Sequence, residues 1–341
     1  MERALTRRQG LKLLGGSVGL GVLPWNFRCT GAGVRVVEST HEPTPEAPLT
    51  PQERFYITQN FGLPAVPRAD TWRLHLRGMV DRDVTLSLAE LQALPTVTRE
   101  LTLECIGNPP GGGLISSAAF TGVRARDALA LAGLSPHARG VVYSALDGYG
   151  VPLPVSVVEG DGEDSLLVWA INGEALTPDH GSPVRALHRG RHGLFSLKWL
   201  DALTAVRTYA PAGALRRVAN FVDGSTAVRS KVTVVNEHRP ARVGVPCEVR
   251  GLAVTPGSGV REVSVLADGR WQRAELSFNT LTDARSPWLW SLWRLAWTPE
   301  REGPQLLKVR ATATDGATQH EEANFPYDHG AVHALRVAVL R

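Results

Sequence analysis

Cysteine is scarce in this chain: Cys29, Cys105 and Cys247 are the only three among 341 residues. An odd, sparse set with no C-x-x-C pair excludes a disulfide scaffold and a zinc ribbon. The sequence also lacks C-x-x-C-H, which excludes covalently attached haem of the c type, and no haem is expected.

Long hydrophobic runs are also missing. Leu11 to Leu23 form a weakly apolar, glycine-rich stretch that ends at Pro24 and is too short for a membrane span. The pair Arg7-Arg8 precedes it, so residues 1–30 resemble a twin-arginine export signal, with a disordered basic tail as the alternative. From the signal we expect a protein of the periplasm or cell envelope, in which this segment is removed or stays as an anchor.

Neither sign of charge dominates. Lys and Arg number 37 and Asp and Glu number 33, so the formal charge is +4. The small excess gathers with three histidines between residues 180 and 198, which suits one anionic ligand as well as a polyanion. We expect no nucleic-acid partner. The length and a hydrophobic content of 43% suit two domains, each with its own core.

The first half of the chain mixes strand and helix patterns. Residues 31–51 are rich in Pro and Thr and predict a linker. Further on, Trp72–Gly78 alternates apolar and polar side chains as a strand does, whereas Ser87–Leu94 and Val123–Ala132 have helical spacing. We therefore expect an α+β domain over residues 52–212, whose first helix is capped by its leading serine.

Residues 228–341 follow a different pattern. Short strand-like segments, among them Val232–Val235 and Val263–Leu266, are separated by turn residues without helices between them. This predicts an all-β sandwich of the immunoglobulin-like kind. Trp288 and Trp290 are expected on one face of a strand, in the sandwich core or on an apolar surface that a second subunit would cover. We therefore expect a homodimer formed through residues 228–341.

Cys105 follows a strand-like segment, Leu101–Leu103, and opens a turn rich in Gly and Pro. A lone cysteine is in most proteins a small buried apolar residue. Here, however, a rigid sheet would deliver it to a loop where glycine lets the backbone approach a ligand, and a thiolate binds redox-active metals well. Nucleophilic catalysis by a Cys–His pair is the rival hypothesis, although nothing near Cys105 marks the base.

A second candidate site runs from His180 to Lys198. Arg185 and Lys198 flank a glycine-punctuated loop, which suits a phosphate held by cations and backbone N–H groups. A solvated basic surface is the alternative. His188 and His192 have the four-residue spacing of zinc ligands on a helix, but two glycines nearby disfavour a helix there.

Six short segments occur in order along residues 52–210. They are Arg54–Tyr56, Leu101–Asn108, Phe120–Asp127, Asp147–Gly150, His180–Arg185 and Lys198–Leu200. Together they resemble the sulfite oxidase family of molybdopterin-dependent oxidoreductases, and the C-terminal part resembles that family's dimerisation domain. The resemblance implies an oxidoreductase with a molybdenum–molybdopterin cofactor, which transfers an oxygen atom.

The same resemblance implies roles for individual residues. It makes Cys105 the ligand of molybdenum and the catalytic residue. It assigns the binding of the cofactor to eight others, which are Tyr56, Asn60, Asp147, His180, Arg185, Ser196, Leu197 and Lys198. In such a site the protein binds, orients and tunes the cofactor, while the metal centre performs the redox step.

The chain departs from the family where sulfite would bind. The family's Arg-Asn-His motif, an arginine five residues after the cysteine, a catalytic tyrosine and a C-terminal arginine are all replaced. The residues that align with them are Thr58, Gln59, Asn60, Pro110, Ala219 and His329. Because an unpaired dianion is costly to desolvate, we expect a less anionic substrate, such as a sulfoxide or another small oxo compound.

Two alternatives accompany this expectation. Sulfite oxidation would be retained if Arg124, Arg126 or Arg191 entered the pocket from elsewhere in the chain. A cofactor-binding protein without catalysis, or an envelope scaffold that uses its sandwich, is the alternative of another class. Without a haem segment, electrons are expected to pass to or from a separate carrier.

Overall fold

The computed structural model of the protein describes residues 35–59, 61–160, 165–208, 225–321 and 330–341. Within those residues, no helix is both long enough and apolar enough to span a bilayer. The described residues up to 208 form mainly strands, with three short α-helices between them.

The strands of this N-terminal part are β1 (Arg35–Val37), β2 (Ile57–Gln59), β3 (Arg73–Gly78), β4 (Val84–Ser87), β5 (Thr96–Glu104), β6 (Ile115–Arg124), β7 (Gly140–Ala145), β8 (Gly150–Pro154), β9 (Ser165–Ile171), β10 (Glu174–Ala175), β11 (Arg185–His188) and β12 (Leu200–Val206). The helices are α1 (Leu88–Gln92), α2 (Ala125–Ala130) and α3 (Val155–Glu159). Single 3-10 turns occur at Gln52–Arg54, Pro178–His180 and Gly193–Phe195.

Two five-stranded sheets and one small ribbon organise these strands. One sheet has the order β10-β9-β6-β5 with β11 also paired to β9, and the other has the order β4-β3-β12-β7-β8. The ribbon joins β1 to β2. Strand β12 runs parallel to β3, and the remaining pairs in these sheets are antiparallel. Apolar cores form around Trp72 and Tyr143 and around Phe55 and Phe120.

The hairpin of β5 and β6 positions the candidate cysteine. The two strands pair over their whole length, and the last pair joins Glu104 to Ile115. Residues 105–114 therefore leave the end of the sheet as one loop, called the cysteine loop below. The predicted strand at Leu101–Leu103 is confirmed within β5.

The C-terminal part consists of nine described strands in two sheets. They are β13 (Arg229–Val235), β14 (Ala241–Arg242), β15 (Cys247–Val254), β16 (Val260–Ala267), β17 (Arg270–Arg273), β18 (Glu275–Phe278), β19 (Ser291–Trp297), β20 (Gly303–Ala313) and β21 (His333–Leu340). One sheet has the order β13-β15-β19-β18 and the other β14-β21-β20-β16-β17. Buried side chains from both sheets, such as Val249, Trp293, Val263 and Leu307, pack into one core. The sandwich is therefore observed as two sheets face to face.

The first predicted helix has the expected cap. Ser87 Oγ accepts a hydrogen bond from the Glu90 N–H at 3.2 Å, and the Ser87 N–H donates to Glu90 Oε2 at 2.8 Å. This reciprocal pair is a capping box. The second helix is shorter than predicted, because Val123 and Arg124 pair with β9 and extend β6 instead.

One segment contains more secondary structure than expected, and one local expectation is wrong. The linker predicted over residues 31–51 contains β1, because Arg35–Val37 find backbone partners in β2. Trp288 and Trp290 do not share a strand face, because β19 begins only at Ser291 and a turn bond from the Leu289 N–H to the Ser286 carbonyl precedes it. Trp290 is nevertheless buried, and its indole N–H donates to the Pro48 carbonyl at 2.7 Å.

Candidate active site

A cavity of about 510 Å³ lies where the cysteine loop, the end of β2 and the segment before β12 come together. Seven of the predicted site residues line it. They are Tyr56, Cys105, Asp147, Arg185, Ser196, Leu197 and Lys198. Tyr56 and Lys198, which are more than 140 positions apart in the sequence, therefore line the same cavity. The two candidate sites, one at Cys105 and one between His180 and Lys198, come together there.

Cys105 is half-buried at the start of its loop. Its N–H donates to the Leu114 carbonyl at 3.0 Å, and its carbonyl accepts from the Asn108 N–H at 3.0 Å. The Gly107 N–H points to Cys105 Sγ at 3.4 Å. A backbone donor at the sulfur favours its thiolate form, which is the form that binds metals.

Tyr56 lines the same cavity as Cys105. The side chain is buried, and burial is the main reason that the pKa of its phenol lies well above the ordinary value, with a further increase from Cys105. Tyr56 is therefore uncharged. A Cβ at Gly193 would come within 2.7 Å of Tyr56 Oη, so glycine is needed at this position to let the two segments meet.

Arg185 is a buried cation without a carboxylate partner in the part of the chain that the structure describes. Only 3% of the residue is exposed, and one Nη donates to the His180 carbonyl at 3.4 Å. Its Nε has no hydrogen-bond partner among the described residues. Burial lowers the pKa of Arg185 to about 10. A guanidinium held in this way calls for an anion in the adjoining cavity, because an uncompensated buried charge is strongly unfavourable.

Lys198 adds a second positive group to the same wall. Its Nζ donates to the Asp179 carbonyl at 2.6 Å. Burial, followed by repulsion from Arg185, lowers the pKa of Lys198 to about 7. Gly181, at a φ of +95°, lets this segment approach, since a Cβ there would come within 2.8 Å of Lys198 Cα.

His180 stands apart from the cavity wall. Its Nε2 lies 2.9 Å from the Gln52 carbonyl, and since a carbonyl can only accept, Nε2 carries the hydrogen. Burial, then Arg185 and Lys198, lower the pKa of His180 to about 4, so the ring is neutral. The residue helps the site through its carbonyl, which accepts from Arg185. The remaining predicted residue, Asn60, lies outside the described residues, as do Ala219 and His329.

Three arginines that could have restored a sulfite pocket point elsewhere. Arg124 and Arg126 contact Asp127 at 3.4 and 3.8 Å. The Arg191 guanidinium carbon lies 5.8 Å from the centroid of the Phe195 ring. None of the three belongs to the described wall of the cavity.

Several wall residues were not predicted from the sequence. Tyr149 donates from its hydroxyl to the Leu194 carbonyl at 2.9 Å and from its N–H to Asp147 Oδ1 at 3.0 Å, which fixes Asp147 in the wall. Trp199 has a φ of +53°, which is unusual for a bulky residue, and its indole N–H donates to the Pro178 carbonyl at 2.8 Å. Both lie in segments that the family resemblance includes, but neither has a reactive side chain that would single it out.

Comparison with known proteins agrees with this geometry. The family described as oxidoreductase molybdopterin binding domain matches residues 61–212. Sulfite oxidase of Gallus gallus is 30% identical over 301 residues, covering 76% of this chain and 65% of that protein. Mitochondrial sulfite oxidase of Homo sapiens is 28% identical over 320 residues, covering 80% of this chain and 58% of that protein. The chain thus spans less than two thirds of the length of these relatives.

A solved structure shows the same fold over nearly the whole chain. The sulfane dehydrogenase SoxCD from Paracoccus pantotrophus superimposes with a TM-score of 0.74 at 21% identity, and the match covers 95% of this chain and 94% of that one. The chain therefore has the fold of that dehydrogenase, and its residues 61–212 match a domain family described as binding molybdopterin. More closely, the chain belongs to the sulfite oxidase family.

The residues present fit the cofactor of this family. A phosphate-bearing ligand needs cations and donors, and the wall offers Arg185 with an unpartnered Nε and Lys198 with a depressed pKa. A molybdenum ion accepts soft donors, and Cys105 Sγ lines the same cavity.

Proposed function

We propose that the protein holds a molybdenum–molybdopterin cofactor with Cys105 as the thiolate ligand and Arg185 and Lys198 as the anchors of the phosphate. The buried, unpaired charge of Arg185 in the wall that also contains Cys105 is the observation that carries this proposal. One cavity thereby combines a soft metal donor with an anion site, as a metal-bearing phosphate ester requires.

When bound, the cofactor would supply oxygen-atom transfer coupled to a two-electron change at the metal. The chain's own residues bind and orient it. Asp147 is half-buried, and burial raises the pKa of its carboxyl, while the Tyr149 N–H at 3.0 Å holds the group in place. Tyr56 stays protonated beside Cys105 and offers a neutral hydroxyl rather than a charge.

The substrate is an oxo compound less anionic than sulfite. Thr58 and Gln59 line the cavity in place of the family's cationic motif, and Gln59 is committed to Asp179 Oδ1 at 3.1 Å. Ile106 and Pro109 make the wall apolar next to Cys105, and Glu38 adds a carboxylate. Such a wall disfavours a dianion and accepts a neutral sulfoxide or a similar small molecule.

Sulfite oxidation is the second candidate. The similarity to proteins named sulfite oxidase over three quarters of the chain favours it. The experiment that separates the two measures steady-state turnover of purified protein from a cofactor-competent host. Sulfite is assayed with a dye acceptor, and a panel of sulfoxides and other oxo compounds is assayed with a reduced dye.

We expect at least one neutral oxo compound to exceed sulfite in kcat/KM by about tenfold or more, the equivalent of one lost charge-assisted hydrogen bond. Efficient oxidation of micromolar sulfite would instead establish the second candidate. Turnover of neither class by molybdenum-loaded protein would support a cofactor-binding protein without catalysis.

Further properties follow the same proposal. The C-terminal sandwich is of the immunoglobulin-like kind and forms a homodimer. The support for this is its two-sheet core and its resemblance to a dimerisation domain.

Residues 1–30, which lie outside the described part, direct export by a twin-arginine route to the periplasm or envelope. Electrons pass between the site and a separate carrier. Light scattering of the purified protein and fractionation of expressing cells test the first two properties.

A further inference from the structure

The cysteine loop is held from the C-terminal sandwich as well as from its own sheet. Arg229, the first residue of β13, places one Nη 2.6 Å from Glu104 Oε1 and 2.9 Å from the Asn108 carbonyl. Two positions along the same strand, Lys231 Nζ donates to the Gly112 carbonyl at 2.9 Å. One strand of the second part of the chain thus supplies two cationic donors to the loop that carries Cys105.

The contacts of Arg229 fall on the residues that shape the loop next to the sulfur. Glu104 directly precedes Cys105, and the Asn108 N–H donates to the Cys105 carbonyl at 3.0 Å. Asn108 Nδ2 donates to Glu104 Oε1 at 2.8 Å, and Asn108 Oδ1 accepts from the Leu114 N–H at 2.9 Å. The network therefore ties both ends of the loop to one guanidinium.

The network is buried. Glu104, Asn108 and Arg229 are exposed by only 2%, 4% and 5%. Glu104 Oε1 is paired with Arg229 and Asn108, whereas Glu104 Oε2 has no hydrogen-bond partner among the described residues. Arg229 is thus the counter-ion of a buried carboxylate, and its removal leaves that charge uncompensated. Removal of one partner from a surface ion pair would have a much smaller effect.

A third contact closes the far side of the loop. The Val232 N–H donates to His333 Nδ1 at 3.1 Å, which orients the ring of this β21 residue. The ring packs on Gly111, at a φ of +82°, where a Cβ would come within 2.3 Å of His333 Nε2. The loop therefore has little freedom to move away from the sandwich.

We propose that Arg229 is a positioning residue for Cys105, which acts through Glu104 and Asn108 to set the direction of the sulfur toward the cavity. This inference rests on the proposed function, since it concerns how the thiolate is presented to the metal. Groups behind a metal ligand commonly change affinity or activity by about 10- to 100-fold when they are replaced.

The test compares four full-length proteins: wild type, Arg229→Gln, Arg229→Lys and Arg294→Gln. Arg294 lies in the same sandwich in an exposed ion pair with Glu275 at 2.8 Å, so its replacement is a matched control that leaves the loop alone. Three properties are measured: hydrogen exchange of peptides spanning residues 104–114, molybdenum content, and the thiolate-to-metal absorption and electron paramagnetic resonance spectra of the loaded protein.

We expect Arg229→Gln to raise exchange in the cysteine loop by about tenfold or more and to shift both spectra. Arg229→Lys should restore part of each property, and Arg294→Gln should match wild type. Unchanged loop exchange and unchanged spectra in Arg229→Gln would overturn the inference. If Arg229→Gln does not accumulate as folded protein, Glu104→Gln, which keeps the side-chain shape, is judged by the same criteria.

Failure of the proposed function looks different. Wild-type protein without molybdenum would contradict the cofactor proposal, whereas the exchange comparison reports on the loop with or without the metal. If the wild type binds molybdenum but Arg229→Gln changes neither the loop exchange nor the spectra, only the positioning role is contradicted.

Discussion

Arg185 and Lys198 carry positive charge in a place that water reaches poorly, and neither has an ion-pair partner among the described residues within 4 Å. Burial lowers the pKa of both. Such an arrangement costs stability in the absence of an anion and is relieved when one binds. At the scale of single residues, the site is therefore built for a ligand that completes it.

The pH dependence of anion binding tests this view. With a pKa of about 7, Lys198 is protonated below pH 7 in the cofactor-free protein and loses its proton above it. A bound anion favours the protonated form, so affinity should be highest below pH 7 and fall as the pH rises. Sulfate, whose charge is constant in this range, should bind at least about tenfold more weakly at pH 9 than at pH 6 in calorimetric titrations.

The controls isolate the lysine. Lys198→Met should bind sulfate weakly with little change across this range, and Lys308→Met, which alters a lysine outside the cavity wall, should behave as wild type. A Lys198→Met protein that keeps the wild-type pH profile would show that another group titrates.

At the scale of elements, the segments around Tyr56 and Gly181 and residues 193–198 pack closely against one another. The turn at Gly193–Phe195 touches the start of β2 through Gly193 and Tyr56, and the segment at Gly181 touches Lys198. The first contact depends on the absence of one methyl group. Local geometry here is therefore as restrictive as the chemistry of the side chains.

Gly193→Ala should disturb the site by displacing Tyr56. The added Cβ would lie 2.7 Å from Tyr56 Oη, so we expect a loss of about 1–3 kcal/mol in the free energy of unfolding and reduced cofactor content. The double variant Gly193→Ala with Tyr56→Phe should recover part of the stability, because the colliding oxygen is gone. Chemical denaturation and metal analysis measure both effects.

A glycine with more space provides the control. A Cβ at Gly150 would find its nearest neighbour, the Tyr143 carbonyl, at 3.5 Å, an ordinary contact. Gly150→Ala should therefore have a smaller effect than Gly193→Ala on stability and on cofactor content. Equal effects of the two substitutions would argue against a specific role for the Gly193 contact.

At the scale of the whole molecule, the two parts of the chain are joined close to the site. The Thr102 N–H of β5 donates to the Trp288 carbonyl at 2.9 Å, and Glu100 of the same strand forms a double hydrogen bond with Arg285. With Arg229 bound to Glu104, three residues of β5 reach the sandwich. The strand that leads into Cys105 is therefore shared between the parts.

This arrangement predicts how the protein melts. Cofactor-loaded protein should unfold at a higher temperature than cofactor-free protein, since a ligand present at 1,000 times its Kd stabilises by about 4 kcal/mol. Because β5 links both parts, the sandwich should shift with the N-terminal part in one transition. Calorimetry measures the unfolding temperatures of both forms. If cofactor loading left the unfolding temperature of the sandwich unchanged, the coupling of the two parts through β5 would be contradicted.

The sequence predicts much of this architecture, for physical reasons that differ from place to place. The Ser87 cap and the strand before Cys105 depend on local patterns and are confirmed. The strand at Arg35–Val37 could not be predicted, because its partner lies 20 residues further along the chain. Val123 likewise joined a strand because of its contact with β9 rather than its own neighbours.

The site shows the same division. Cys105 and Arg185 were predicted because their side chains have distinctive chemistry in distinctive surroundings. Tyr149, Trp199 and Arg229 were missed, since their roles arise from carbonyls and carboxylates that only the folded chain brings near. The sequence predicts that His180 helps to bind the cofactor, and this stays a prediction; in the structure its Nε2 donates to the Gln52 carbonyl.

In the proposed holoenzyme, Cys105 binds molybdenum through its sulfur. X-ray absorption at the molybdenum edge, recorded for wild type and Cys105→Ser, counts the sulfur atoms bound to the metal and so tests this ligation. We predict that both proteins retain the pterin and that Cys105→Ser has one sulfur neighbour fewer per molybdenum, with turnover abolished. An equal sulfur count in the two proteins would contradict the account.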